Sequence, residues 1–348
     1  MNSGRFRHLS GPCLFTLALA ALMANATLSA QTAPPPPPDQ AATSDSTIRV
    51  DVDLVNVFFT VHAKKGGQLI PNLTKENFTI FEDAKQQTIQ RFSREADQPL
   101  TLGLLIDISA SQGNLIEIER QAAAQFFSSV IRTKDEAFLI SFGKSTDLLQ
   151  DYTNSPRLLS EGLKDLRGDG QGPMMAGSPV PVNTGPIGGS LGTPKGTLLF
   201  DAIYLASDEK LKNEVGRKAL ILITDGDDQG SSYKLHDAIS AAQHSDAIVY
   251  SIYYVDRQFY GGMGGGGEGD LRKISEETGG HVFKVDSKHP LNEIFRQIQD
   301  ELRNQYSISY TPSSARDGSF RHVQIKTDSA DYRVQARAGY YATKNDAQ

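Results

Sequence analysis

The chain has 348 residues, with 35 Lys and Arg against 41 Asp and Glu, a formal net charge of −6, seven His, one Cys and a hydrophobic fraction of 39%. That length supports about two domains with a sizeable core, and the mild acidity excludes whole-chain disorder and a broad phosphate-neutralising surface for nucleic acid. One cysteine excludes a disulfide framework and multi-thiolate zinc, and the scattered histidines contain no HExxH pair, so a metal here is expected to be held by oxygen.

Arg5, Arg7 and His8 precede an apolar run over residues 13–23, followed by the small residues Ala24, Ala26, Ser29 and Ala30. This order predicts a secretory signal peptide over 1–30, cleaved after Ala26 or Ala30. A membrane anchor fits less well, because the run is shorter than the ~20 residues of a spanning helix. Cleavage removes two of the 35 basic residues and the single Cys, leaving 33 bases against 41 acids, a net charge of −8 and no thiol. Such a chain suits the periplasm or the cell exterior. Residues 31–46 include five consecutive prolines from Pro34 to Pro38. They read as a polyproline II linker, with a ligand for a proline-binding groove as the alternative.

Residues 47–96 form a β-rich segment. Ile48, Val50, Val52 and Leu54 alternate with polar residues and lead into an apolar stretch up to Val61, a strand pattern. Residues 64–67 are a hairpin turn, and 78–81 and 88–92 are further strands. From 97 to 303 the pattern changes to strands alternating with helices. Strands are expected at 100–106, 137–142, 219–224, 247–255 and 281–285, and helices at 115–131, 160–166, 201–211, 233–244, 269–278 and 291–303. Alternation of this kind predicts a doubly wound α/β domain with a mainly parallel sheet, whose ligands sit at the carboxyl ends of the strands. Residues 304–342 return to strands, at 306–310, 321–327 and 332–337. Each β segment is too small to bury a core alone, so the two are expected to pack together as one smaller, discontinuous β module.

The chemistry gathers at strand ends. Asp107, Ser109 and Ser111 leave the first buried strand at alternate positions, Thr197 precedes a helix, and Asp225 follows the apolar strand 219–224. Two carboxylates, three hydroxyls and water suit a hard divalent cation, Mg²⁺ or else Mn²⁺ or Ca²⁺. Any one of these residues alone reads first as a helix cap or a loop hydroxyl; the five together read as a metal site. Asp227 and Asp228 read as supporting or surface acids, and Asp201 as a helix-starting acid that could orient Thr197.

The five residues in this order resemble the metal-ion-dependent adhesion site of the von Willebrand factor type A family, Asp-x-Ser-x-Ser followed by a distant Thr and a distant Asp. The segments 52–57 (VDLVNV), 73–78 (LTKENF) and 336–341 (ARAGYY) are similar to a bacterial, especially acidobacterial, exported von Willebrand type A-related subfamily. The resemblance spans 47–342 and departs in the long insert before Thr197. It implies that Ser109 and Ser111 bind the ion directly, that Thr197 does so in the ligand-occupied state, and that Asp107 and Asp225 act through water. It further implies a protein partner that presents Asp or Glu to the ion.

Two Gly-rich loops border this rim, at 167–196 and 258–269. Either they contour the partner surface, with Met174, Met175, Phe259, Tyr260 and Met263 as apolar contacts, or they are excursions with no partner role. Enzymatic signatures fail. Gly143-Lys144-Ser145 lacks the first glycine of a phosphate loop, where Phe138 stands, and no nucleophile elbow or dinucleotide fingerprint is present. An EF-hand reading of 225–236 fails at His236. A binding or adhesion module without catalytic residues is therefore the leading expectation. An envelope enzyme or chaperone-like assembly factor using the same metal is the alternative.

Overall fold

The structure is a computed structural model that describes residues 54–94, 98–168, 196–256, 258–261 and 266–343. The signal peptide, the linker, the strand start at 47–53, most of the loop 167–196 and Met263 lie outside the described residues. In chain order, β1 (Val55–Ala63), β2 (Phe78–Glu82), β3 (Lys85–Gln87) and β4 (Arg91–Arg94) come first. The α/β region follows as β5 (Leu100–Asp107), α1 (Ile116–Val130), β6 (Glu136–Phe142), β7 (Thr146–Thr153), α2 (Pro156–Lys164), α3 (Leu199–Leu205), β8 (Arg217–Thr224), α4 (Leu235–His244), β9 (Ala247–Tyr253), α5 (Glu268–Thr278), β10 (Val282–Lys284) and α6 (Leu291–Arg303). The chain ends with β11 (Tyr306–Tyr310), β12 (Phe320–Thr327), β13 (Tyr332–Ala336) and β14 (Gly339–Tyr341).

The central sheet has the order β10-β9-β8-β5-β6-β7 and is parallel except for β7. All eight residues of β5 and of β8 are buried, as expected of strands covered by helices on both faces. One face packs on α1, α2 and α6, where the Phe126 and Phe295 rings stack with centroids 4.5 Å apart. The other packs on α3, α4 and α5. Strand β7 escaped the sequence analysis because it is an edge strand that keeps polar residues, and even Leu148 is exposed. The helix expected at 160–166 instead starts at Pro156, capped by the Ser155 hydroxyl, which accepts from Leu158 N. Proline at the first helical position makes that start favourable. The helix expected at 201–211 begins at Leu199 and turns π-helical over Ala206–Leu211.

Gly103 shows how tightly the sheet is filled. A Cβ there would lie 2.4 Å from Phe138 Cζ and 2.6 Å from a Leu220 methyl. Gly103→Ala is expected to destabilise the fold by about 1–3 kcal/mol, read as a lower denaturation midpoint with an unchanged m-value.

The flanking segments form two antiparallel four-stranded sheets, β13-β1-β11-β4 and β14-β12-β2-β3. Each mixes strands from before and after the α/β region, which makes the β module discontinuous in sequence. The sheets share a core that includes Val57, Phe59, Ile80, Tyr306, Ile308 and Tyr310. The strand expected at 88–92 is found as β4, beginning at Arg91, and the short strand β3 before it was not expected. Where the module meets the α/β region, the carboxylate of Glu301 on α6 lies 3.4 Å from His281 Nε2 and 3.9 Å from His62 Nε2 of β1. His62 Nδ1 lies 3.1 Å from the carbonyl of Gly67 and its Nε2 lies 3.0 Å from the Thr60 hydroxyl.

Candidate metal centre

Register brings the distant residues of the site together. Strands β5 and β8 pair in parallel with Ile106 opposite Ile223, so Asp107 emerges beside Thr224 and Asp225. The Thr224 hydroxyl donates to Asp107 Oδ2 at 2.5 Å, and Ser109 N donates to Oδ1 at 2.9 Å. Thr224 Oγ1 in turn accepts from Gly226 N at 2.9 Å. Ser109 and Ser111 turn back to the same locus, with their hydroxyls 3.1 Å apart. Asp225 is buried beside them, its Oδ1 accepting from Asp227 N at 3.2 Å and its Oδ2 from the Tyr260 hydroxyl at 2.9 Å.

Thr197 stands on the neighbouring loop. Its carbonyl accepts from Gln229 N at 3.0 Å, and Gly196 N donates to the Gln229 carbonyl at 3.3 Å. These bonds lay the Thr197 segment along the loop that follows Asp225. The contacts among Asp107, Ser109, Ser111 and Asp225 do not include the Thr197 side chain. The Asp201 carboxylate accepts from Tyr233 N at 2.9 Å. Asp228 supports α3 by accepting from Phe200 N at 3.2 Å, and Asp227 accepts from the Gln229 amide at 2.7 Å.

The electrostatics are those of a negative site. Burial pushes the Asp107 carboxyl up to about 7; hydrogen bonds from Ser109 and Thr224 oppose the shift, and the nearby Asp225 adds to it. Glu119 of α1 is fully buried, and neither of its carboxylate oxygens has a hydrogen-bond partner. Burial, then Asp107 and Asp225, hold its carboxyl well above the ordinary range. The charges acting on Asp107 and Glu119 are thus other carboxylates, and a divalent cation would offset them. With two carboxylates and a pair of hydroxyls 3.1 Å apart, the residues present fit a hard, oxygen-liking ion such as Mg²⁺.

Three contributors were missed in the sequence. Thr224 looked like an ordinary strand residue. Glu119 carried a usable signal, being an acid on the helix face otherwise made of Ile116, Ala122, Ala123, Phe126, Phe127 and Val130. Tyr260 was read as an apolar contact, whereas its hydroxyl reaches into the site.

The description "von Willebrand factor type A domain" matches residues 192–297. The match takes in Thr197 and Asp225, and the Asp107 strand end lies before it, joined through the β5–β8 pairing. Over residues 192–297 the chain is thus similar to the von Willebrand factor type A family. Among solved structures it is similar to the conserved hypothetical protein BatB from Bacteroides thetaiotaomicron, at 19% identity over 58% of this chain and 97% of that one, TM-score 0.42. It is similar to an aerotolerance-related membrane protein from Bacteroides fragilis, at 18% identity over 58% and 98%, TM-score 0.40. A third is proximal thread matrix protein 1 from the mussel byssus, whose structure has a zinc-occupied metal-ion-dependent adhesion site; identity is 12% over 64% of this chain and 50% of that one, TM-score 0.43. No curated protein matches the sequence. Among the described residues, no helix is long and apolar enough to cross a membrane.

Proposed function

We propose that this protein is an exported, cation-dependent protein-binding or adhesion module of the von Willebrand type A-related kind. Residues 97–303 form its binding domain, supported by a β module from 47–96 and 304–342. The observation that carries the reading is the convergence of Asp107 and Asp225 on paired hydroxyls, with Glu119 buried nearby and, among the described residues, other carboxylates as the charges acting on Asp107 and Glu119. Ser109 and Ser111 would hold the ion directly, Asp107 and Asp225 through water, and Thr197 when a partner is bound. A bound Mg²⁺, Mn²⁺ or Ca²⁺ supplies an electrophilic position for an Asp or Glu carboxylate of a protein partner. Neutral hydroxyl ligands leave the ion more of its charge than direct carboxylates would. Asp107 fixes the turn that aims both serines by accepting from Ser109 N. The N-terminal pattern of Arg5, Arg7 and the following apolar run supports export.

The test is capture of envelope proteins on the immobilised full chain with Mg²⁺ and with EDTA. Partner capture is expected with Mg²⁺ and loss of at least tenfold on chelation. Equal capture in both buffers would reject the cation-dependent reading.

A further inference from the structure

Tyr260 stands where the cation site opens. Its hydroxyl donates to Asp225 Oδ2 at 2.9 Å. It therefore occupies a carboxylate oxygen of one of the residues that would turn toward an ion.

The phenol is held there from both sides. Asp256 accepts from Asn114, just beyond Ser111, at 2.7 Å, and also from Gln258 N at 2.8 Å and Phe259 N at 3.4 Å. Gln112 Nε2 ties the same serine loop to the Tyr254 carbonyl at 3.2 Å. On the other side, Gly226 follows Asp225 with φ +79°, and a Cβ there would lie 2.6 Å from the carbonyl oxygen of Gly267. The segments before and after Tyr260 are thus packed against the residues that flank Ser111 and Asp225. The adjoining Phe259 ring is edge-on to Tyr260, centroids 5.2 Å apart, and is 54% exposed.

We propose that Tyr260 is an internal occupant of this site, whose hydroxyl must leave Asp225 before a divalent cation is bound, so that it sets the protein's cation affinity. The inference rests on the cation-site reading above. A hydrogen bond to a carboxylate is among the stronger ones, and a ligand that must displace it binds more weakly by the cost of breaking it. The opposite role, with Tyr260 remaining in place to orient Asp225 for the ion, predicts the opposite sign, because removing a supporting partner weakens metal binding.

Isothermal titration of the full chain with MgCl₂ separates the two, using the wild type, Tyr260→Phe and Asp107→Asn. The phenylalanine variant keeps the ring and removes only the hydroxyl. It is expected to bind Mg²⁺ about tenfold more tightly than the wild type. Magnesium is expected to change the near-ultraviolet tyrosine absorbance of the wild type, and this change to shrink in Tyr260→Phe. Binding by Tyr260→Phe alone, with none by the wild type, supports the proposal as well. Equal or weaker binding by Tyr260→Phe, where the wild type binds and Asp107→Asn does not, overturns the Tyr260 role and leaves the cation site standing. Absence of binding in every protein, or binding unaffected by Asp107→Asn, overturns both.

Discussion

Asp107→Asn is expected to abolish the magnesium-induced rise in melting temperature while leaving the metal-free protein at least as stable as the wild type. Asparagine is isosteric, so its carbonyl still accepts from Ser109 N, and its amide donates to the Thr224 oxygen. In the metal-free wild type, Asp107 is a buried carboxylate with its pKa pushed up to about 7 and Asp225 close by. Such a group costs stability once ionised, and the amide removes that cost. The cation, in contrast, loses the acid that orients its serine ligands and compensates its charge. At magnesium one hundred times the dissociation constant, binding stabilises the wild type by about 2.7 kcal/mol. For a unit of this size that is a rise of roughly 5–10 °C. Melts of both proteins at pH 8, with Mg²⁺ and with EDTA, read the two effects separately. A persistent magnesium shift in Asp107→Asn would show that the ion binds elsewhere.

A second large effect is expected at the junction of the β module with the α/β region. Burial pushes the Glu301 carboxyl up to about 8, against the opposing hydrogen bond from Tyr250 and the charge of Arg333. Burial brings His281 down to about 3, helped by the charges of His62 and Arg333, and it also lowers His62. The cluster is therefore neutral, with the carboxyl keeping its proton and both imidazoles unprotonated. Because Glu301 is raised, its contribution is fully present below about pH 4.5 and is lost as pH rises through about 8. Because His281 is lowered, its contribution is present above about 6.5 and is lost as pH falls toward about 3.

Glu301→Gln keeps the shape and removes the first dependence. Its unfolding free energy relative to the wild type is expected to climb with pH between about 4.5 and 8, by at most about 1.4 kcal/mol per unit. Urea denaturation of both proteins from pH 4 to 9 measures this difference. A difference that does not change across that range would mean that Glu301 titrates normally in the folded protein.

Much of this molecule was legible in one dimension. The continuous apolar runs at 100–106 and 219–224 announced strands covered on both faces, and they became the central β5 and β8. The alternation of β12 announced a strand with one buried face, on which Val323 and Ile325 lie. The oxygen-bearing residues Asp107, Ser109, Ser111 and Asp225 were visible only as an ordered set at strand ends, since each alone has an ordinary reason to be there as a cap or loop hydroxyl. Edge strand β7 was illegible, because a strand covered on one side only carries a weak hydropathy signal. Strand β3 went unread and β4 was placed early, because strands of three and four residues give too few alternations to read.

The sequence by itself determined the fold class, the oxygen-bearing character of the candidate site residues and the chain's mild negative charge, since these follow from local periodicity and from residue chemistry. Only the tertiary structure decided which groups meet. The parallel register of β5 on β8 joined Asp107 to Thr224 across 117 positions, and the buried face of α1 carried Glu119 near both acids. The packing of the segment around Gly226 and Asp256 put a tyrosine hydroxyl, and not merely an aromatic surface, against Asp225. Strand register and helix rotation are fixed by side chains far away in the chain, so no local pattern encodes the distance between two such groups.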